Sequence, residues 1–176
     1  QQDVMKEVEP APEPTPEPVV EEEEPEINID ELVEQATTHI KEGAPKEALA
    51  LLKPHLKTVG AQHAGAWRIA GGAMARLDLD NHAIAAMTHA QNLEPTHAPG
   101  WFNLGSVQQR SALVNEALAS YRRAVEADST YAKAAEKMAA LAEEHGRIEA
   151  YMEAARLLLQ MDGEHVIGEA YATMLI

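Results

Sequence analysis

From Ile27 onward, apolar residues recur at three- and four-residue spacings, alanine and leucine are abundant, and runs of β-branched residues are absent. That is the pattern of helices that bury one face. No apolar/polar alternation long enough for a useful strand is present. The spacing predicts helices over roughly 30–42, 45–57, 64–77, 80–93, 98–111, 114–127, 131–145, 147–161 and 164–175. Asn28 with Glu31 has the spacing of a capping box at the first of them. Gly43-Ala44-Pro45 separates the first two helices, Glu94-Pro95 stops the fourth, and Gly146 and Gly163 close the seventh and eighth.

The helical pattern repeats with a period of 34. Trp67 falls on Trp101, Gly71 on Gly105, Ala83 on Ala117, Met87 on Tyr121, and Ala90 on Ala124. One period later stand Ala135, Met138 and Ala139; one period earlier, after a shift of one residue, come Leu32, Ala36, Gly43, Ala48 and Leu52. A fixed period of this length marks a solenoid, because a lone helical hairpin cannot bury its apolar face. Within a unit the bulky indoles Trp67 and Trp101 are expected to wedge between two helices. Gly71, Ala83, Gly105 and Ala117 are expected to let backbones approach where helices cross.

Trp101, Leu104, Gly105, Ala117, Tyr121 and Ala124 resemble the signature of the tetratricopeptide repeat, and Trp67, Gly71, Ala83, Ala90 and Pro95 resemble it nearly as well. The outer copies depart from it: the unit near 30–59 lacks the tryptophan, and the unit near 132–163 places Tyr151 where alanine belongs. The resemblance implies an all-α, right-handed α-solenoid of about four helical hairpins. The helix 164–175, carrying Val166, Ile167, Tyr171, Met174 and Leu175, would cap it. The structural core would be Trp67, Gly71, Ala83, Trp101, Leu104, Gly105, Ala117 and Tyr121.

Composition divides the chain in two. The 29 acids and 14 bases give −15, and residues 1–26 alone hold ten acids, one base and six of the ten prolines. Proline lacks a donor and like charges repel, so 1–26 is expected to be a disordered, extended acidic linker, and 27–176 the repeat domain. The net −6 left to 27–176 is unremarkable. An acidic chain has poor prospects against phosphates, which argues against nucleic acid, and no apolar run is long enough for membrane insertion. With no cysteine, a Gln rather than a Met at position 1 and a Pro-Glu spacer, the chain is expected to be exported, periplasmic or membrane-tethered through an upstream segment rather than cytoplasmic.

In tetratricopeptide solenoids the first helix of each pair lines a concave face. The resemblance therefore implies a groove bearing Arg68, Arg76, Phe102, Asn103, Gln109, Arg110, Lys133 and Lys137, with Gly72, Ser106 and Glu136 among them. Five of the thirteen bases in 27–176 fall on it, and Phe102, the single phenylalanine, is set to offer an apolar anchor. The expected function is a non-catalytic scaffold that binds a peptide segment in the groove or docks onto subunits of a larger complex. The alternative is a co-chaperone-like clamp for terminal carboxylates, built from Arg68, Asn103, Lys133 and Lys137. Against it, Gly72 stands where such clamps carry asparagine, and Lys137 replaces an arginine, losing bidentate geometry. The acidic arm could also compete for the same groove.

Chemistry beyond binding finds little support. His82 and His89 are seven residues apart on one helix, about 10 Å along its axis, too far for one metal ion. His63 and His97 recur one period apart as turn residues, with Tyr131 next in the series. Glu21 to Glu24 lack the glycine and spacing of a calcium loop, and Gly71-Gly72 lies inside a helix rather than after a strand. No nucleophile-base set is identifiable. The expectation is no cofactor, no metal and no enzymatic activity.

Overall fold

The computed structural model describes residues 27–162 together with Ile167. Eight helices span the described residues: α1 (Ile29–Lys41), α2 (Pro45–Leu52), α3 (Ala64–Arg76), α4 (Asp80–Leu93), α5 (Ala98–Arg110), α6 (Val114–Ala127), α7 (Ala132–Glu144) and α8 (Ile148–Met161). The described residues hold no strand. The linker expected over 1–26 and most of the capping helix expected over 164–175 lie outside the described residues. Of the latter only Ile167 is described; it is helical and packs against the larger of two core clusters.

Helix boundaries follow local chemistry. Asn28 caps α1, its side chain accepting from the Asp30 N–H at 3.1 Å while its own amide donates to Glu31. The second helix is shorter than its apolar spacing predicts, ending at Leu52 rather than near 57. Pro54 supplies the reason: it disfavours helical geometry in the residue before it and has no N–H to continue the ladder. A run of turns follows, and Leu56 still buries its side chain there.

Every hairpin turns in the same way. Gly43, Asp78, Ala112 and Gly146 each have positive φ, at 77°, 58°, 59° and 63°. The residue after each donates its N–H back across the helix end: Ala44 to His39, Leu79 to Met74, Leu113 to Gln108 and Arg147 to Ala142, at 2.7 to 3.0 Å. These are six-to-one closures of the Schellman type, which satisfy carbonyls that a helix end leaves open. Two of the four left-handed positions are filled by residues other than glycine.

Packing is local along the chain. The substantial contacts join helices one or two apart, so each hairpin rests on its neighbours and the architecture is a stack. Ala36, Ala48, Leu52, Ala66, Ala70 and Ala73 bind the first hairpin to α3; a second cluster runs from Ala75 and Met87 through Trp101, Leu104 and Tyr121 to Met138 and Leu158. Close approach is real at the two expected glycines. A Cβ on Gly71 would lie 2.7 Å from Met87 Cγ, and one on Gly105 would lie 2.8 Å from the Tyr121 ring. Ala83 and Ala117, which face these glycines, are fully buried.

The two indoles occupy equivalent sites with unequal cover. Trp101 is buried and Trp67 half-buried; each donates its Nε1–H to a carbonyl six residues back, Pro95 at 2.8 Å and Ala61 at 3.2 Å. The residue at one shared register of the second helix closes over each ring. His89 meets Trp67 edge-on at 4.6 Å, and the Arg123 guanidinium lies 4.7 Å from the Trp101 ring. Removing water from one such ring contributes about 3 kcal/mol or more.

Candidate functional site

The odd-numbered helices carry the groove positions, and between α1, α3 and α5 they leave a cleft of about 490 Å³. Half-buried Ile40 and Ile69 and buried Met87 and Val107 give it an apolar floor. Gly72 opens onto it, with no atom within 4 Å of where a Cβ would sit. Ile40, Ile69, Met87 and Val107 are not among the residues expected from sequence to form the site. Their apolar spacing is equally that of core residues, so no sequence signal separates the two roles.

The arginines expected to serve a ligand are engaged with the fold. Arg68 donates from Nη1 to Glu94 at 2.8 Å, tying α3 to the end of α4, and holds the Glu94 carboxyl below its ordinary pKa. Arg76 donates to the Ile40 carbonyl at 2.5 Å, at the carboxyl end of α1 where the helix dipole concentrates negative charge. Arg110 grips both oxygens of Asp80, with its Nε at 2.9 Å, and also donates to the Ala75 carbonyl at 2.7 Å. That hydrogen bond from Arg110 lowers the Asp80 pKa and raises that of Arg110. Arg110 is thus a brace between two hairpin turns. Arg122 and Glu153 make a similar tie from α6 to α8, with Nε 2.8 Å from the carboxylate.

Phe102 is corrected by the structure: it is buried rather than offered to the groove. Its ring packs 5.6 Å from Tyr121 and 5.7 Å from Tyr131, with Lys133 Nζ 5.0 Å above it. Gln109 turns to the interior as well, accepting the Tyr121 hydroxyl at 2.8 Å. Burial raises the Tyr121 pKa, which keeps that hydroxyl a donor. Asn103, on the rim of the cleft, and Lys137, on α7, are exposed and make no hydrogen bond or ion pair among the described residues. Lys133 is exposed with only its contact to the Phe102 ring. Of the eight expected groove residues, three polar ones make no hydrogen bond or ion pair among the described residues: Asn103, Lys133 and Lys137.

The recurring histidines have a structural task. His63 Nδ1 accepts the Ala66 N–H at 3.0 Å, and His97 Nδ1 accepts the Gly100 N–H at 2.9 Å, so the two cap α3 and α5. A cap of this kind needs a neutral ring with its free lone pair at Nδ1. His97 lines the cleft, and burial, with the nearby Arg68 charge, lowers its pKa and holds it neutral. His63 also joins its hairpin to the first one, with Nε2 2.9 Å from Asp30. Beneath His97, buried Gln91 donates to the His97 carbonyl at 3.1 Å, while its own carbonyl oxygen has no partner and abuts Gly100. His82 is exposed, and His89 Nε2 lies 3.1 Å from the Ala61 carbonyl. No group of three or more His, Asp or Glu that could hold a metal ion occurs among the described residues, and no described helix is long and apolar enough to cross a membrane.

No protein-family profile and no curated protein matches the chain. Solved structures do. MamA superposes with a TM-score of 0.69 at 21% identity, over 83% of this chain and 81% of that one. TTC0263, a thermophilic tetratricopeptide protein of Thermus thermophilus, superposes with a TM-score of 0.60 at 20% identity, over 84% and 81%. YrrB, a tetratricopeptide protein with an unusual peptide-binding site, gives 0.65 at 18% identity, over 82% and 76%. Hairpins stacked through the Gly71–Ala83 and Gly105–Ala117 crossings, and these superpositions, give the chain the fold of a tetratricopeptide-repeat protein.

Proposed function

We propose that the chain is a non-catalytic scaffold that holds an extended peptide segment of a partner protein in its concave face, and so docks that partner into a larger assembly. One observation carries this reading. Asn103 leaves its amide unpaired on the rim of a cleft where Arg68 is paired with Glu94 and Arg76 donates to the Ile40 carbonyl. A carboxamide offers two donors and an acceptor, the complement of a peptide's own main chain. Lys133 and Lys137, one hairpin further, add positive charge beside it. The peptide-binding site of YrrB supports the same use of a similar fold.

A carboxylate clamp is the weaker reading. It requires a free guanidinium at Arg68, and that group is engaged with Glu94. The test is affinity capture of partners with the full chain, compared with Asn103→Ala and with the double variant Lys133→Glu, Lys137→Glu. Arg68→Glu is unsuitable, because it would set two carboxylates against each other at the end of α4. Loss of the captured partner with either groove variant, at unchanged melting temperature, is expected. Capture indifferent to both would refute use of this face.

A further inference from the structure

Gly72 is a glycine without a packing reason. Its neighbour Gly71 cannot carry a side chain because Met87 fills the space, whereas nothing lies within 4 Å of a Cβ on Gly72. Glycine inside a helix weakens it through backbone entropy. The residue therefore costs stability in α3 and returns only one thing, an open hollow in the cleft beside Ile40, Ile69 and Met87. The lining decides what the hollow can take. Arg68 is neutralised by Glu94 at 2.8 Å, Arg76 is turned onto the carboxyl end of α1, and the His97 ring accepts an N–H and so is neutral. Arg76 is exposed and makes no ion pair, so a basic ligand group would meet its charge, while the floor of Ile40, Ile69 and Met87 gives a charged group no partner of its own. An aliphatic side chain loses nothing on entry and gains burial against the two isoleucines.

Resting on the peptide-groove reading, we infer that the partner segment is anchored by one uncharged aliphatic side chain seated in the hollow over Gly72, while Asn103 reads the main chain next to it. The recognised ligand class is an internal extended segment with one aliphatic residue at the hollow, rather than a terminal carboxylate.

Short random peptides displayed on phage as internal segments supply the probe, selected on the full chain and scored on Gly72→Leu and Asn103→Ala. Gly72→Leu fills the hollow and replaces a helix-weakening residue, so it should melt no lower than the parent; Gly72→Ala serves as a second, milder filling. The expected result is enriched clones sharing an aliphatic residue at a fixed place, with retention falling about tenfold or more on Gly72→Leu. Clones that are acidic at that place, or that bind Gly72→Leu as well as the parent while losing Asn103→Ala, would overturn the anchor and leave the groove reading intact. No enrichment, or enrichment indifferent to both variants, would overturn the two together.

Discussion

The same substitution, glycine to alanine, is expected to act with opposite sign at two groove-side helices. At Gly72 an added Cβ meets nothing within 4 Å. The change then acts through helix propensity alone and should stabilise by about 1 kcal/mol. At Gly105 the Cβ would lie 2.8 and 2.9 Å from two atoms of the Tyr121 ring and 3.3 Å from the Ala117 carbonyl oxygen. Tyr121 cannot yield: it is wholly buried, and its hydroxyl is held by Gln109 at 2.8 Å. Overpacking of this kind costs about 1–3 kcal/mol. After the same propensity gain, a net loss of up to about 2 kcal/mol remains, and the two variants should differ by about 1–3 kcal/mol. Urea unfolding followed by circular dichroism reads the difference as a shift in midpoint, with the slope checked for loss of cooperativity, because a stack can unfold by parts. A Gly105→Ala protein stabilised as much as Gly72→Ala would mean that α5 and α6 do not touch at that crossing. A destabilised Gly72→Ala protein would mean that the hollow is filled.

Three further outcomes are expected. Ala112 holds φ of 59° where its counterpart Gly146 has φ of 63°, so Ala112→Gly should raise stability by about 1 kcal/mol and Gly146→Ala lower it by a similar amount, both read from urea midpoints. Trp101→Ala, which empties a buried site under Arg123, should cost about 3–5 kcal/mol and shift much of the array to the unfolded state; a cooperative melt near the parent temperature would contradict this. The third concerns pH. Burial first, then Arg68, lowers the His97 pKa from the usual 6.5, so the unfolded chain protonates before the folded one. The His97 contribution is complete above 6.5 and declines as pH falls below it. The hydrogen bond from Arg68 lowers the Glu94 pKa from 4.5, adding a second loss in the acid range below that value. His97→Asn keeps a capping acceptor without titrating, so the decline that begins at 6.5 should flatten in that variant while the one below 4.5 remains.

What the chain discloses in its sequence follows from what repeats. Stacking demands the same small residues at the same crossings, so Gly71 with Ala83 and Gly105 with Ala117 are legible as spacing, and the hairpins follow from them. Pro54 is equally visible, yet the apolar run to Leu56 outweighs it in predicting a helix to 57; in the structure local backbone chemistry prevails. The site is less legible because a cation is visible in sequence and its pairing is not. Arg76 and Arg110 look like groove charge, but each reaches a neighbouring hairpin, at the Ile40 carbonyl and Asp80, as Arg122 does at Glu153. In a one-dimensional stack, neighbours are joined across a single interface, so a long guanidinium bridging two turns stabilises the joint without filling the core. Such ties engage the arginines with the fold even where, as at Arg76, they line the cleft. On the proposed reading, what a partner would meet is an unpaired carboxamide, two lysines on the next hairpin and an apolar hollow beside Gly72.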